Sequence, residues 1–123
     1  ATRDNQHYRR VLFTAKHSQL VLMNLKPGEE IGEEVHGMDQ FIRFEEGEGT
    51  VVLDGEKHAV SDGFAVVIPA GTRHNVVNSG KTTPLKLYSL YSPPEHKDGI
   101  IHKTKQEADA DHDHHFDGRT SMK

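Results

Sequence analysis

The stretch GFAVVIPAGTRHNVVN, residues 63–78, decides how the chain folds. Its apolar run at 64–68 stops at Pro69, which cannot donate to a β-ladder, and Gly71 accepts the positive φ that a tight turn needs. A second run rich in valine follows, beginning with His74. Two short strands around a tight turn, with no helical periodicity, are typical of a β-sandwich or β-barrel.

The same punctuation continues outward from this stretch in both directions. Turn dipeptides of the Pro-Gly, Glu-Gly, Asp-Gly and Ser-Gly types separate short apolar runs. Strands are predicted at 11–13, 19–25, 40–44, 50–53, 64–68, 74–77 and 85–91. Asp54 and Gly55 predict a type I′ hairpin turn, and the capping-box sequence that begins at Thr104 predicts a short helix. The fold class is therefore all-β, with a short C-terminal helix or tail.

Composition limits the classes of function. The chain has 123 residues, a net charge of −4, ten histidines and no cysteine. Disulfides, thiolate metal sites and cysteine nucleophiles are excluded, and the acidic balance argues against nucleic-acid and anionic-membrane partners. No apolar run approaches the roughly 20 residues of a membrane span, and the first residues lack the apolar region of a signal peptide. We expect a cytoplasmic protein whose partner is a small-molecule ligand.

Two segments are predicted. Residues 1–110 hold the strands and the helix and form the barrel domain. Residues 111–123 form a polar, acidic tail in which Phe116 is the one aromatic side chain. Because so little apolar area is available to offset the entropy of ordering, the tail is expected to be mobile and dispensable for the site.

A second pattern of residues at fixed spacing lies upstream of the stretch 63–78. Gly28 is followed at fixed intervals by four residues: Glu34, His36, Gln40 and Gly47. Side chains two apart on a strand share a face, so Glu34 and His36 point the same way, and Gln40 can join them across the bend at 37–39. If the strands curl into a barrel, these side chains and His74 converge on an interior wide enough for one small ligand.

This residue set has the chemistry of a metal site. One glutamate and two histidines suit divalent zinc, manganese, iron or nickel, and a glutamine adds a neutral oxygen. The predicted ligands of one divalent ion are Glu34, His36, Gln40 and His74. With a single carboxylate the site keeps a net positive charge, which favours an anionic or enolate-like ligand. No separate catalytic base is identified, so catalytic residues are left unassigned.

The two patterns together resemble the motifs of the cupin superfamily, in its small single-domain bacterial type. The downstream motif, 63–78, is met in full; the upstream motif, 28–47, is met in spacing, with Glu34 where a histidine is usual and Gln40 where a glutamate is usual. The resemblance implies a double-stranded β-helix, or jelly-roll, barrel and a metal at the four residues above. It also implies a homodimer, in which we expect the run 11–13 and Phe41 to supply the apolar contact.

The resemblance extends to cupins related to mannose-6-phosphate isomerase, which carry the same four residue types in a different order. It implies a metal-dependent isomerase of a sugar or sugar phosphate, in which an enediolate is stabilised while a base moves a proton. Two alternatives stay open. Glu34, His36 and His74 also match the two-histidine, one-carboxylate face of non-haem Fe(II) dioxygenases. A non-catalytic cupin would instead bind a carbohydrate-like ligand.

Overall fold

The predicted all-β class is confirmed. The computed structural model describes residues 1–121, and in this range it has ten strands and one short helix. Strands β1 to β10 are Arg9–Thr14, Gln19–Leu25, Glu34–Val35, Asp39–Glu46, Glu48–Leu53, Glu56–Ser61, Ala65–Ile68, Arg73–Val77, Leu85–Ser92 and Ile101–His102, and helix α1 is Lys105–Ala110. The last two positions of the predicted tail, 122 and 123, lie outside the described residues. None of the described helical structure has the length and hydropathy to cross a membrane.

The strands form two antiparallel sheets. The larger has the order β10-β1-β2-β9-β4-β7 and the smaller the order β3-β8-β5-β6. Strands far apart in the chain are neighbours, since β2 pairs with β9 and β5 with β8. Such crossovers between two packed sheets are those of a jelly roll, as predicted.

Local turn and cap chemistry behaves as the sequence predicts. Asp54 and Gly55 have φ values of 47° and 84°, both positive as a type I′ turn requires. The backbone N–H of Glu107 donates to Thr104 Oγ at 3.1 Å, so Thr104 caps α1. The seven predicted strands are all present, and their ends differ from the prediction by at most two residues. β3 and β10, of two residues each, were not predicted as strands, because periodicity has little to detect in them. The polar β6 was expected only in its first residues, as the second arm of the hairpin at 54–55.

The interior of the barrel is apolar at one level and polar at the next. Inward side chains on β2, β4 and β9 are fully buried, among them Met23, Phe44 and Leu87, which lie in register across the sheet. Toward the other end of the same strands, the row in register is Gln19, Tyr91 and Gln40. Polar side chains facing inward in a barrel are typical of a ligand site, and this level is where the predicted metal residues lie.

The outer face of the larger sheet carries an apolar row. Directly paired residues share a face, and the pairing runs from one strand to the next through Phe13, Leu20, Leu90, Phe41 and Val67, here called the outer row. Leu90 is 37% exposed and Val67 64%. Val11, which we expected on this surface, is instead buried in the core, because a β-bulge after it changes the alternation of β1.

Two residues of the motifs at 28–47 and 63–78 have a structural role. Gly47 has φ of 101°, and a Cβ there would collide with the carbonyl oxygen of Pro84. Asn78 is buried, and its Nδ2 donates to the carbonyl oxygens of Leu25 at 2.9 Å and Thr83 at 3.0 Å. These contacts fix the backbone at the end of the barrel away from the candidate site, which explains their place in the motifs.

Candidate metal centre

The two spaced motifs are joined by backbone contacts. Glu34 on β3 lies directly opposite His74 on β8 in the register of the smaller sheet. The N–H of Gly71, in the turn before β8, donates to the carbonyl oxygen of His36 at 2.9 Å. The next contact is from the N–H of Ala70 to Asp39 Oδ1, also at 2.9 Å. The turn at 69–71 therefore holds the segment between β3 and β4, which carries His36, beside β8, which carries His74.

Glu34, His36 and His74 are brought together and are called the acid–histidine cluster. His36 Nε2 lies 3.4 Å from Glu34 Oε2, and the rings of His36 and His74 have centroids 5.0 Å apart. His74 Nδ1 is 3.0 Å from the carbonyl oxygen of Thr72. Since a carbonyl oxygen only accepts, Nδ1 carries a proton, so in the neutral ring the lone pair is on Nε2, as in a metal-binding histidine.

Gln40 adds an oxygen that has no donor. It is 3% exposed, and its Nε2 donates to Ser89 Oγ and to Tyr91 Oη, both at 3.2 Å. Its Oε1 is buried without a hydrogen-bond partner. An unsatisfied buried carbonyl oxygen costs about 1–3 kcal/mol, so a cation or a donor is expected beside it. Tyr91 connects this side chain to the cluster, since its ring centroid is 5.9 Å from that of His36.

Burial shifts the pKa values of Glu34 and His36 toward their neutral forms. It raises the pKa of Glu34, although the positive charge of Arg9 opposes the shift. It lowers the pKa of His36, although the carboxylate of Glu95 opposes that shift. Neutral imidazole is the form that binds a metal, and a desolvated carboxylate gains most from a nearby cation. The donor set and its electrostatics therefore fit a divalent ion.

The types of donor atom suit a metal ion, while the side chains are not arranged around a common point. Among residues 1–121, no three or more His, Asp or Glu side chains stand arranged as a ready cation site. The assignment of Glu34, His36, Gln40 and His74 as ligands stays a prediction.

Glu95 is a site residue that the sequence did not reveal. It is 8% exposed, with Oε2 3.6 Å from His36 Nδ1 and Oε1 3.3 Å from His115 Nδ1. The prolines at 93 and 94 mark the end of β9 and gave no sign that the chain turns back over the barrel. A buried carboxylate between two imidazoles is placed to accept a proton.

Gln19 explains why Glu95 lies there. Its Oε1 accepts from the backbone N–H groups of Glu95 at 3.3 Å and His96 at 3.0 Å, and its Nε2 donates to the carbonyl oxygen of His96 at 2.7 Å. Gln19 is 1% exposed, and the sequence signal for such a clamp is a glutamine at the start of a mostly apolar strand.

The C-terminal segment contacts the same region. The N–H of Lys97 donates to the carbonyl oxygen of His114 at 2.8 Å, and the N–H of Phe116 donates to that of Glu95 at 2.9 Å. The side chains of His96 and His114 meet at 3.0 Å between their Nδ1 atoms. The division at residue 110 and the mobility of residues 111–123 stay predictions, and these contacts define what removal of the tail would change.

Truncation after Ala110 is expected to leave the metal content unchanged, because the predicted ligands at 34, 36, 40 and 74 all lie in the barrel. The measurement is elemental analysis of the full chain and the truncated chain, purified in parallel without a histidine tag. A truncated protein that folds, as judged by circular dichroism, but has lost its ion would show that the tail belongs to the metal site.

Comparison with known proteins gives one family and close relatives. The family model described as "Cupin domain" matches residues 21–91. The uncharacterized protein YrkC of Bacillus subtilis strain 168 is 48% identical over 120 residues, covering 92% of this chain and 64% of its own length. A protein of Acanthamoeba polyphaga mimivirus is 49% identical over 105 residues, covering 81% of this chain and 65% of its own. The chain thus spans less than two thirds of these relatives.

A solved structure is similar over nearly the whole chain. The crystal structure of BH2720 from Bacillus halodurans has 46% sequence identity and a TM-score of 0.87, and the match covers 89% of this chain and 88% of that one. The similarity therefore extends on both sides of the segment matched by the family model.

Proposed function

The chain belongs to the cupin superfamily, and on that premise we propose that it is a metal-dependent enzyme that isomerises a small polar substrate such as a sugar or sugar phosphate. The observation that carries the proposal is the unpartnered Gln40 Oε1 on the polar level of a barrel that also holds the acid–histidine cluster. A buried glutamine with a purely structural role would have a hydrogen-bond donor for that oxygen.

The proposed ligands are Glu34, His36 and His74, with Gln40 as the fourth and weakest, since a neutral amide oxygen is a poor ligand for transition metals. A divalent ion bound there would polarise a carbonyl or hydroxyl oxygen of the substrate. Because His74 already donates Nδ1–H to Thr72, its ring is oriented before any ligand arrives.

The proton transfer of an aldose–ketose isomerisation needs one base that serves two adjacent carbons. We assign this role to Glu95, which would take the proton from the carbon beside the carbonyl and return it to the former carbonyl carbon, while the proton of the neighbouring hydroxyl passes to the former carbonyl oxygen. Its contacts with His36 and His115 hold the carboxylate in one orientation. Burial raises the pKa of Tyr91, so its phenol stays protonated at neutral pH and can donate to a substrate oxygen.

The proposal includes a homodimer formed through the outer row. An apolar stripe that crosses the middle strands of a sheet is self-complementary under a two-fold axis, which is the commonest symmetry of homo-oligomers. The stripe is bordered by both signs of charge, since Arg43 and Glu45 lie 3.9 Å apart on the same face of β4. A second copy of the chain would therefore meet matching apolar and charged groups. The expected cytoplasmic location and lack of a nucleic-acid partner belong to the same proposal.

The test is a metal-dependent exchange assay in D2O. The full chain, with a panel of sugars, sugar phosphates and sugar acids, is expected to interconvert one aldose–ketose pair and to incorporate deuterium at the carbon beside the carbonyl. Chelation should abolish the reaction and one divalent metal should restore it. Oxygen consumption by the Fe(II)-loaded protein, without exchange, would favour the dioxygenase alternative, and ligand binding without either reaction would favour a binding protein.

A glutamine at position 95 is the matched variant for this assay. Glu95→Gln keeps the size and hydrogen-bonding capacity of the side chain but removes its basicity, so exchange should be lost while metal content is retained. Exchange at the wild-type rate in this variant would remove Glu95 from the mechanism.

A further inference from the structure

Arg9 carries a charge that the described chain does not neutralise by direct contact. It lies on β1, is 7% exposed, and its Nε is buried without a hydrogen-bond partner. None of the ion pairs among residues 1–121 includes its guanidinium. The guanidinium carbon lies 5.4 Å from the centroid of the Tyr8 ring, but no carboxylate among these residues pairs with it. A buried cation without a counter-ion is costly, and such groups are enriched at functional sites.

A hydrogen-bonded relay fixes the orientation of this guanidinium. Arg9 Nη1 is 3.2 Å from His102 Nδ1, and since arginine only donates, Nδ1 must accept. The proton of His102 is therefore on Nε2, which donates to Asp111 Oδ2 at 2.9 Å. The relay uses one of the five N–H donors of Arg9 and leaves the others on Nη1 and Nη2 for a ligand.

Arg9 lines a cavity of about 290 Å³ that also reaches Glu34 of the acid–histidine cluster. The acidic groups near Arg9 in this cavity have partners of their own, since Asp111 is bonded to His102 and Asp109 to Lys105. Arg9 is the one permanently charged cation among the described lining residues, because the others that can be positive are histidines. The cavity therefore has the guanidinium of Arg9 at one wall and Glu34, the cluster member that lines it, at another.

We propose that Arg9 binds the carboxylate of the substrate, a small hydroxy acid, keto acid or sugar acid, and directs its hydroxyl or carbonyl end toward Glu34. The placement of the reacting end rests on the proposed function; the recognition of the carboxylate rests on Arg9 alone. The planar guanidinium offers parallel N–H donors that match the two oxygens of a carboxylate.

Charge favours a carboxylate over a phosphate. A carboxylate brings one negative charge, which the single permanent charge of Arg9 balances. A phosphate monoester carries about −1.5 to −2 at neutral pH, which would leave an excess of negative charge beside Glu34 and Asp111. The field of Arg9 also extends across the cavity to His114, whose pKa is lowered by burial first and by the charge of Arg9 second.

The experiment uses glycolate as the probe, with glycolamide as its uncharged isostere and inorganic phosphate as a third ligand. Calorimetric titration of the full chain should show that glycolate binds and that glycolamide binds at least about tenfold more weakly, the loss typical of removing a charge-assisted hydrogen bond. Arg9→Gln should lower the affinity for glycolate to that of the wild type for glycolamide. Arg10→Gln is the matched control, since Arg10 is the next residue of β1 and is exposed, and it should bind glycolate as the wild type does.

Stability separates recognition from a structural role. Because Arg9→Gln removes a buried unpaired charge, its Tm without ligand should be no lower than that of the wild type, while the rise in Tm caused by glycolate disappears. Arg9→Lys, which keeps the charge but loses the planar fork, should bind glycolate with intermediate affinity. Arg9→Gln with a lowered Tm and an unchanged affinity for glycolate would overturn the proposal, as would a protein that binds phosphate and not glycolate.

The same titrations after chelation separate this inference from the proposed function. Binding of glycolate that survives chelation and is lost in Arg9→Gln supports the carboxylate site even if the purified protein holds no metal. Binding that disappears on chelation and is unaffected by Arg9→Gln would locate glycolate on the metal, which would overturn this inference and leave the metal-dependent function standing.

Discussion

Replacement of His74 by alanine is expected to reduce the bound metal from about one ion per chain to almost none. His74 is 5% exposed, lies opposite Glu34 across the β3–β8 ladder, and has its Nδ1 committed to Thr72. Removing its free Nε2 leaves two strong ligands, too few for a stable site of this type. The measurement is elemental analysis of protein purified without a histidine tag.

The same substitution should lower the Tm of the metal-loaded protein. A ligand at 100 times its Kd stabilises the native state by about 2.7 kcal/mol, and that contribution is lost with the ion. His58→Ala is the matched control, because the side chain of His58 is 46% exposed on β6, and it should keep both metal and Tm. Gln40→Ala should have a smaller effect on metal content than His74→Ala. Wild-type metal content in His74→Ala would refute the assignment of the ligands.

Leu90→Lys is expected to convert a dimer into a monomer. Leu90 lies in the middle of the outer row, paired with Leu20 on one side and Phe41 on the other. A two-fold axis through this row would bring two lysines close together in an apolar interface, where each would lose its hydration. The molar mass measured by light scattering at micromolar concentration should therefore fall from twice 13.8 kDa for the wild type to 13.8 kDa for the variant.

Phe64→Lys is the control for the dimer experiment. Phe64 is 50% exposed but is not part of the outer row, so its replacement should leave the mass unchanged. A wild-type particle of 13.8 kDa at the same concentration would contradict the proposed homodimer, whatever the variants do.

Local chemistry made much of the fold predictable. Pro69 and Gly71 act through their own backbone preferences, as do Asp54 and Gly55, so the turns they make are readable from neighbouring residues alone. Alternation likewise places Glu34 and His36 on one side by a local rule, whereas the approach of His74 was expected from the spacing that resembles the cupin motifs and from closure of a barrel. The sequence therefore determined the fold class, the turns and the residues of the acid–histidine cluster, while their role as ligands awaits the metal measurement.

Only the tertiary structure decided what surrounds that cluster. Gln19 contacts the backbone of His96 across 77 positions of sequence, and Arg9 contacts His102 across 93. Such contacts depend on which strands become neighbours, and a jelly roll pairs strands that are distant in the chain. No local periodicity in a two-residue strand such as Ile101–His102 shows which strand it joins. For that reason the sequence predicted the candidate ligands, whereas the candidate base Glu95 and the unpaired charge of Arg9 came only from the folded chain.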